Sequence, residues 1–227
     1  MKSCWPTPSS KITALKLPDK STDQYLFHVP RIYEGLEYLL ENDPVFSALP
    51  IEAKDIKREY IGPGFPGLAR IVIGQQVSAQ AADSLWRRFE QGLPNVTPNA
   101  VLILNQDEMR TLGLSHQKAR YIRELATAIN EGRFDPLALE DLGDEEVYEA
   151  VMALKGFGAW SAEMFLIFCL ARPDVWPAAD LGIQEGLRKY LGQEERPDFE
   201  QTKKEGARFA PYRSAASLLL WHIKAMD

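Results

Sequence analysis

Apolar residues recur at three- and four-residue intervals along most of this chain, and this spacing constrains the fold more than any other feature of the sequence. Two long stretches, RIYEGLEYLLEN and the segment from 66 to 93, show it through Ile32, Leu36, Leu39 and Leu40 and through Leu68, Ile71, Val72, Val77, Ala81 and Leu85. Such spacing gives a helix one apolar face. No segment alternates with a period of two for long, so the sequence predicts an all-α protein.

Six later segments carry the same spacing and predict further helices. They are NQDEMRTLGL, SHQKARYIRELATAINEG, GDEEVYEAVMAL, WSAEMFLIFCLA, LGIQEGLRKYL and YRSAASLLLWHIKAM. Ser115 is expected to cap the second of them. The prolines expected in turns between helices are Pro94, Pro98, Pro136, Pro173, Pro177 and Pro197. Residues 1–29, rich in Pro, Ser, Thr and Lys, predict an irregular arm.

Composition excludes several classes of protein. The chain has 227 residues, of which 45% are hydrophobic, enough for a substantial core. No run reaches the roughly 20 apolar residues of a membrane span, and the first residues lack the apolar stretch of a signal peptide, so a cytoplasmic protein is expected. The cysteines, Cys4 and Cys169, cannot form an iron-sulfur site, and His28, His116 and His222 show no ligand spacing. We therefore expect no transition metal.

The net charge of −6 argues mildly against a nucleic-acid partner, because phosphate binding usually needs a basic face. The charge is unevenly distributed, however. Residues 135–149 include seven acids and no base, whereas residues 116–123 include Lys118, Arg120 and Arg123 without an acid. An acidic outer face together with a basic working face would give the same total.

The segment LKGFGAW, residues 154–160, predicts a tight connection between two helices. One helix is expected to end near Leu154, the glycines Gly156 and Gly158 permit a sharp reversal, and the next helix begins near Ala159. The first amides of the second helix would be unpaired at the positive end of its dipole, where they bind phosphate. The alternative is an ordinary helix connection that contains glycine.

A single aspartate, Asp180, follows Trp160 by twenty residues and directly precedes the predicted helix from Leu181. This position indicates a helix N-cap. It also suits a catalytic carboxylate, because backbone amides would hold the charge in place to face a developing positive charge. Both interpretations are compatible with the sequence.

Together these features resemble the helix-hairpin-helix (HhH-GPD) DNA glycosylase superfamily, whose signature is L-x-G-x-G followed by an aspartate about twenty residues later. The likeness is greatest to the alkylation-repair branch, the 3-methyladenine DNA glycosylase II type. Three further stretches agree: LARIVIGQQVSAQAA, MRTLGLSHQKARYI and PYRSAASLLLWH. The resemblance extends from about residue 40 to the C-terminus and implies a compact form without the N-terminal β-rich domain of the bacterial enzyme.

The resemblance also implies which residues form the site that binds the damaged base. Members that cleave the DNA backbone carry a lysine at the position of Trp160, so this chain is expected to be monofunctional. Asp180 is expected to be catalytic, and Trp160, Trp221 and Met164 to line the pocket, where aromatic rings attract cationic bases. Met164 replaces a tyrosine of a relative, which leaves the substrate range open. For both tryptophans the alternative is core packing.

DNA contacts are expected from the hairpin and from two other segments. The amides of Gly156, Gly158 and Ser161 would bind phosphate. The carbonyls expected to bind a structural Na⁺ or K⁺ belong to Met152, Leu154 and Phe157. Gln76 occupies the position of an apolar wedge, although Gln75 and Gln76 could instead cap a turn or contact bases. Lys118 and Arg120 are candidate backbone contacts, or simply a solvated helix face.

The expected function is excision of alkylated purines, of the 3-methyladenine and 7-methylguanine class, by hydrolysis of the N-glycosidic bond in base excision repair. The expected partner is damaged double-stranded DNA, with no required cofactor and no membrane, and the protein is expected to be a monomer. It would be associated with the nucleoid in a bacterium and nuclear in a eukaryote. The expected domains are 1–63 plus 173–227 and the central 64–172, which flank a DNA-binding cleft.

Two other hypotheses compete with the glycosylase prediction. A non-catalytic helix-hairpin-helix DNA-binding protein would bind phosphate in the same way but would not need Asp180 and the two tryptophans. A structural all-α interaction protein would leave the hairpin spacing unexplained, and it would lack the steep salt dependence of DNA binding.

Overall fold

The computed structural model describes residues 25–226, and eleven α-helices account for most of this part. The helices are α1 (Pro30–Asn42), α2 (Phe65–Gly74), α3 (Ala79–Gln91), α4 (Pro98–Ile103), α5 (Gln106–Thr111), α6 (His116–Asn130), α7 (Asp144–Met152), α8 (Ala159–Phe168), α9 (Leu181–Leu191), α10 (Phe199–Glu205) and α11 (Arg213–Ala225). Short 3-10 helices occur at Leu26–His28, Phe46–Ala48, Ala53–Asp55, Ala138–Asp141 and Gly206–Phe209. The β structure within these residues is one bridge between Tyr25 and Glu59. The all-α prediction is confirmed.

Polar side chains fix where several helices begin. The Ser115 hydroxyl accepts a hydrogen bond from the Lys118 amide at 3.2 Å, so Ser115 caps α6 as predicted. Asp198 caps α10 in the same way, accepting from the amide of Gln201 at 2.8 Å. Helix α10 was not predicted, because Phe199 is its one apolar residue and a single residue shows no apolar period.

Two details of the predicted helices are corrected. The apolar spacing runs through residues 75–78, but α2 ends at Gly74 and α3 begins at Ala79. Gln76 has a φ of +57°, which a right-handed helix cannot include, and Val77 is 39% exposed rather than buried. Pro98 begins α4 rather than lying in a turn, because the first residue of a helix needs no amide hydrogen.

The helices pack in two sets around a shared core. Helix α11 packs against α1 and α9, and α9 packs against α10. Helix α2 contacts α3, α6 and α8, while α4 and α5 pack on α6 and α7 packs on α8. Buried residues from both sets form one hydrophobic cluster. The division into 1–63 plus 173–227 and 64–172 remains a proposal, and residues 1–24 of the predicted arm lie outside the described residues.

Within residues 25–226, none of the helices has the length and apolar character that crossing a membrane requires. The same part of the chain contains no group of three or more His, Cys, Asp and Glu side chains placed to bind a metal ion.

Candidate functional site

The connection between α7 and α8 is a tight glycine turn. Gly156 has a φ of +89°, in the region that favours glycine, and a Cβ added there would lie 2.2 Å from the ring of Tyr121. The turn therefore needs glycine both for its conformation and for the close approach of α6. The two helices and this turn form the predicted helix-hairpin-helix.

The N-terminus of α8 is open. Gly158 occupies the N-cap position with an extended backbone, and no side chain caps the helix. A Cβ added to Gly158 would meet no atom within 4 Å. Because the first amides of a helix have no partner within it, this end presents unpaired donors and a positive dipole end. The arrangement is suited to a phosphate group.

The N-terminus of α9, in contrast, is closed by Asp180. Its Oδ1 accepts a hydrogen bond from the Ile183 amide at 2.9 Å, so Asp180 is the N-cap of α9. The side chain is half-buried. The local sequence had indicated this cap.

Two tryptophans donate to the same carboxylate. Trp160 Nε1 lies 2.7 Å from Oδ2 of Asp180, and Trp221 Nε1 lies 2.9 Å from Oδ1. The structure therefore brings together three of the predicted site residues from three separate segments. Both tryptophans also pack against the core, so the packing interpretation and the site interpretation hold together. We refer to Asp180, Trp160 and Trp221 as the aspartate cluster.

Two residues that sequence reasoning missed hold Trp221 in place. Phe168 of α8 stacks on Trp221 with ring centroids 5.6 Å apart and an interplanar angle of 29°. A Cβ added to Gly182 would lie 2.8 Å from both Trp221 Cδ1 and Asp180 Oδ1. Glycine at this position lets the indole approach the start of α9. An unfavourable glycine inside a predicted helix was the available signal.

The segment before Asp180 is fastened to α11. Arg213 Nε and its terminal NH2 group donate to the two oxygens of Asp174 at 2.6 and 2.8 Å. Ser214 is fully buried, and its hydroxyl accepts from the Val175 amide and donates to the Arg172 carbonyl. These contacts fix α11, which carries Trp221, against the chain that leads to Asp180.

Glu163 is a second carboxyl near the aspartate cluster, and the sequence analysis did not select it. It lies three residues after Trp160 on α8, and its Oε2 is buried without a hydrogen-bond partner. Burial, and next the negative charge of Asp180, raise the pKa of Glu163 to about 7. Nothing in the local sequence distinguishes it from a surface glutamate.

The loop 75–78 between α2 and α3 contains the two candidate glutamines. Gln75 Nε2 donates to the Gly156 carbonyl at 2.9 Å and to Ser161 Oγ at 3.0 Å, so both its hydrogens are used within the protein. Ser161 is only 2% exposed. Gln76 is exposed and, with its positive φ, lies at the tip of the loop. Gln75 thus links this loop to the hairpin, whereas the Gln76 side chain forms no hydrogen bond within residues 25–226.

The two candidate basic residues on α6 differ. Lys118 Nζ donates to the Ile73 carbonyl at 2.7 Å, and burial lowers the pKa of Lys118. It therefore supports the end of α2. Arg120 is exposed, and its guanidinium lies 5.4 Å from the ring centroid of Tyr121.

The remaining predicted residues surround the hairpin. Met164 is 5% exposed and belongs to the hydrophobic core. Met152, the last residue of α7, is exposed. The Leu154 carbonyl accepts from the Phe157 amide at 3.1 Å, which leaves that oxygen a second lone pair.

The chain is similar in sequence to known proteins. Residues 69–211, more than half of the chain, match the HhH-GPD superfamily of base excision DNA repair proteins. This range includes the hairpin and Asp180. The DNA-3-methyladenine glycosylase 1 of Schizosaccharomyces pombe is 34% identical over 158 residues, which cover 68% of this chain and 69% of the relative. The DNA-3-methyladenine glycosylase of Saccharomyces cerevisiae is 28% identical and is matched over 96% of this chain and 87% of its own length.

A solved structure has a similar fold. The S. pombe 3-methyladenine DNA glycosylase Mag1, in complex with abasic DNA, matches with a TM-score of 0.72 and 29% identity, covering 83% of this chain and 95% of that one. The family match and the S. pombe relative place the sequence without ambiguity. This chain belongs to the HhH-GPD superfamily of base excision DNA repair proteins.

Proposed function

We propose that this protein is a monofunctional DNA glycosylase that releases alkylated purines from duplex DNA by hydrolysing the N-glycosidic bond. The observation that carries the proposal is the aspartate cluster, in which Trp160 and Trp221 both donate to Asp180. The relatives named DNA-3-methyladenine glycosylase support the substrate class. The Mag1 complex supports DNA as the partner.

The hairpin is proposed to hold a phosphate of the damaged strand. The open amides of α8 supply the donors, and Gly158 leaves room for close approach of the backbone. Arg120 is exposed and can add a charge to such a contact. The hairpin carbonyls of Met152, Leu154 and Phe157 are neutral oxygen donors of the kind that bind Na⁺ or K⁺, so an ion there remains part of the proposal.

Gln76 is proposed to fill the gap left when the damaged nucleotide turns out of the stack. Its loop is braced before DNA binds, because Gln75 bonds to the hairpin and Lys118 bonds to the Ile73 carbonyl. An amide side chain can also hydrogen-bond to the opposite base, which an apolar wedge cannot do.

Asp180 is proposed to stabilise the positive charge that develops on the sugar. Its Oδ1 already accepts two hydrogen bonds, from Ile183 and Trp221, but Oδ2 accepts one, from Trp160. Oδ2 therefore has capacity for the attacking water. Water adds to C1′ as the glycosidic electron pair leaves with the cationic purine, which departs neutral, and the proton of the water passes to Asp180 and then to solvent.

We propose that the protein does not cleave the DNA backbone, because Trp160 stands where the cleaving members of the family have a lysine. An indole nitrogen cannot form a Schiff base with the sugar, and here it is bound to Asp180. Borohydride should therefore trap no covalent adduct between protein and DNA.

The test is release of 3-methyladenine from methylated duplex DNA by wild type and Asp180→Asn, with DNA affinity measured in parallel. Asparagine is also a good N-cap, so the start of α9 is retained. We expect the variant to lose about a hundredfold or more in rate while it keeps its affinity. A wild-type protein that binds DNA but releases no base would support the non-catalytic DNA-binding alternative.

A further inference from the structure

Glu163 is a half-buried carboxyl group without a cationic partner. Three glutamates in residues 25–226 have a buried oxygen without a hydrogen bond: Glu124, Glu163 and Glu205. Glu124 forms an ion pair with Lys155 at 2.8 Å, and Glu205 forms one with Arg208 at 2.7 Å. Glu163 forms no ion pair among the described residues, so a charge on its carboxylate would be left uncompensated.

The position of Glu163 connects it with the lesion site. Residues three apart on a helix lie on the same face, so Glu163 shares a face of α8 with Trp160, whose indole binds Asp180. Two titratable side chains, Asp180 and Tyr148, interact electrostatically with Glu163. Asp180, ahead of α9, raises its pKa, and the pKa of Tyr148, on α7, is raised by burial and next by Glu163.

The ionisation of Glu163 depends on the charges that surround it. In the free protein burial and the negative charge of Asp180 both oppose ionisation of Glu163. A positive charge beside Asp180 would favour it. Purines alkylated on a ring nitrogen carry such a charge, whereas hypoxanthine and ethenoadenine are neutral.

We propose that Glu163 gives this site its preference for positively charged over neutral lesion bases, by supplying a second negative charge beside Asp180. This inference rests on the proposed glycosylase function. Glu163 acts on the charge of the site and is a specificity residue rather than a catalytic one. Where Glu163 still carries its proton, binding of a cationic base favours release of that proton to solvent, and binding of a neutral base does not.

A consequence is that the preference depends on pH. Well below its pKa of about 7 Glu163 is protonated and supplies no charge, and as pH rises through that value it supplies a growing share of a negative charge. The ratio of cationic to neutral base release should therefore rise with pH through this range in the wild type.

The first experiment compares wild type, Glu163→Gln and the control Glu149→Gln. Glu149 is exposed on the neighbouring helix α7, so its variant removes the same charge from the surface. For each protein, kcat/KM is measured for 3-methyladenine and for hypoxanthine at about pH 6 and about pH 8. We expect Glu163→Gln to lower the ratio about fivefold at the higher pH and to remove its pH dependence. Glu149→Gln should leave the ratio unchanged.

The second experiment needs no base release. It measures the affinity of the same proteins for duplexes that carry a cationic pyrrolidine or a neutral tetrahydrofuran in place of the damaged nucleotide. The preference for pyrrolidine should fall about fivefold in Glu163→Gln and stay in Glu149→Gln.

The outcomes separate the two proposals. If wild type releases neither base, the proposed function fails, and the affinity measurement still decides the role of Glu163. If Glu163→Gln changes both substrates and both analogues by the same factor, or changes none of them, the specificity role is wrong and Glu163 is only structural.

Discussion

The N-termini of α8 and α9 are built in opposite ways. The start of α8 has Gly158 as its N-cap, with no side chain over the helix end. The start of α9 is closed by Asp180, whose carboxylate accepts from its own helix and from two tryptophans. The positive end of a helix dipole lies at both N-termini. No side chain caps the start of α8, whereas the start of α9 carries the negative charge of Asp180.

We propose that this difference separates DNA binding from the chemical step. An open helix end attracts an anion such as a phosphate, whereas a carboxylate fixed at a helix end attracts the positive charge of a damaged base or of the reacting sugar. The hairpin turn and the Asp180 segment are joined through Trp160, which lies near the start of α8 and binds Asp180. A phosphate held at α8 would therefore be placed at a set distance from the carboxylate.

The largest effect on stability should come from the hairpin turn. Gly156→Ala places a Cβ 2.2 Å from the Tyr121 ring at a φ of +89°. We expect the free energy of unfolding to fall by roughly 3 kcal/mol, because both the clash and the strain must be relieved. Urea denaturation measures this, with Gly158→Ala as the control, which should change stability by less than about 0.5 kcal/mol. Equal losses in the two variants would mean that the two glycines do not have different roles.

The second prediction concerns Glu163 on α8 and the pH dependence of the free energy of unfolding. The pKa of Glu163, about 7 in the folded protein, is above its ordinary value of 4.5. Its contribution to stability is therefore fully present below the unfolded pKa and is lost as pH rises through the folded one. Relative to wild type, Glu163→Gln should be more stable at pH ~8 than at pH ~4 by about 2 kcal/mol. A constant difference across that range would show that the carboxyl is not perturbed.

A smaller effect should follow from disturbing the aspartate cluster. Gly182→Ala introduces a Cβ 2.8 Å from Trp221 Cδ1 and from Asp180 Oδ1. Since both groups must shift, we expect kcat for base release to fall about tenfold, while the affinity for DNA changes little. Tryptophan fluorescence would report the displaced indole. Unchanged kcat together with weakened DNA binding would assign the start of α9 to binding instead.

The smallest effect should appear at the open helix end. Gly158→Ala meets no protein atom within 4 Å, so the fold should accept it. A methyl group there would stand between the amides of α8 and a phosphate, and we expect DNA affinity to fall about fivefold at low salt. Fluorescence anisotropy with labelled duplex DNA measures the change. An unaltered affinity would remove the hairpin from the DNA interface.

Local features of the site could be predicted from sequence, whereas contacts between distant segments could not. The glycine turn and the cap by Asp180 are encoded within a few residues, so turn and capping rules found them. The contact between Trp221 and Asp180 joins residues 41 positions apart and was not predicted, since the resemblance to a family only assigned both residues to the site. Phe168, which stacks on Trp221, has no sequence pattern of its own, and the only signal for Gly182 was a glycine inside a predicted helix.

The contacts of side chains that are partly buried could not be predicted from the sequence either. Gln75 and Lys118 look like surface polar residues in the sequence, yet the protein uses their donors to brace the loop 75–78. Glu163 looks like a solvated helix glutamate, and only the packing of α8 shows that its oxygen is buried. The fold class, in contrast, followed from the apolar period alone, because that period records which face of each helix is buried.

The proposed division between the two helix ends is tested most directly by measuring DNA affinity and the single-turnover rate of base release together, on one methylated duplex, for Asp180→Asn and Gly158→Ala. Asp180→Asn should lose about a hundredfold or more in rate with its affinity within about threefold of wild type. Gly158→Ala should lose affinity and keep its rate at saturating protein. If Asp180→Asn weakens binding as much as it slows release, or if Gly158→Ala slows release at saturation, the two helix ends do not divide binding from chemistry.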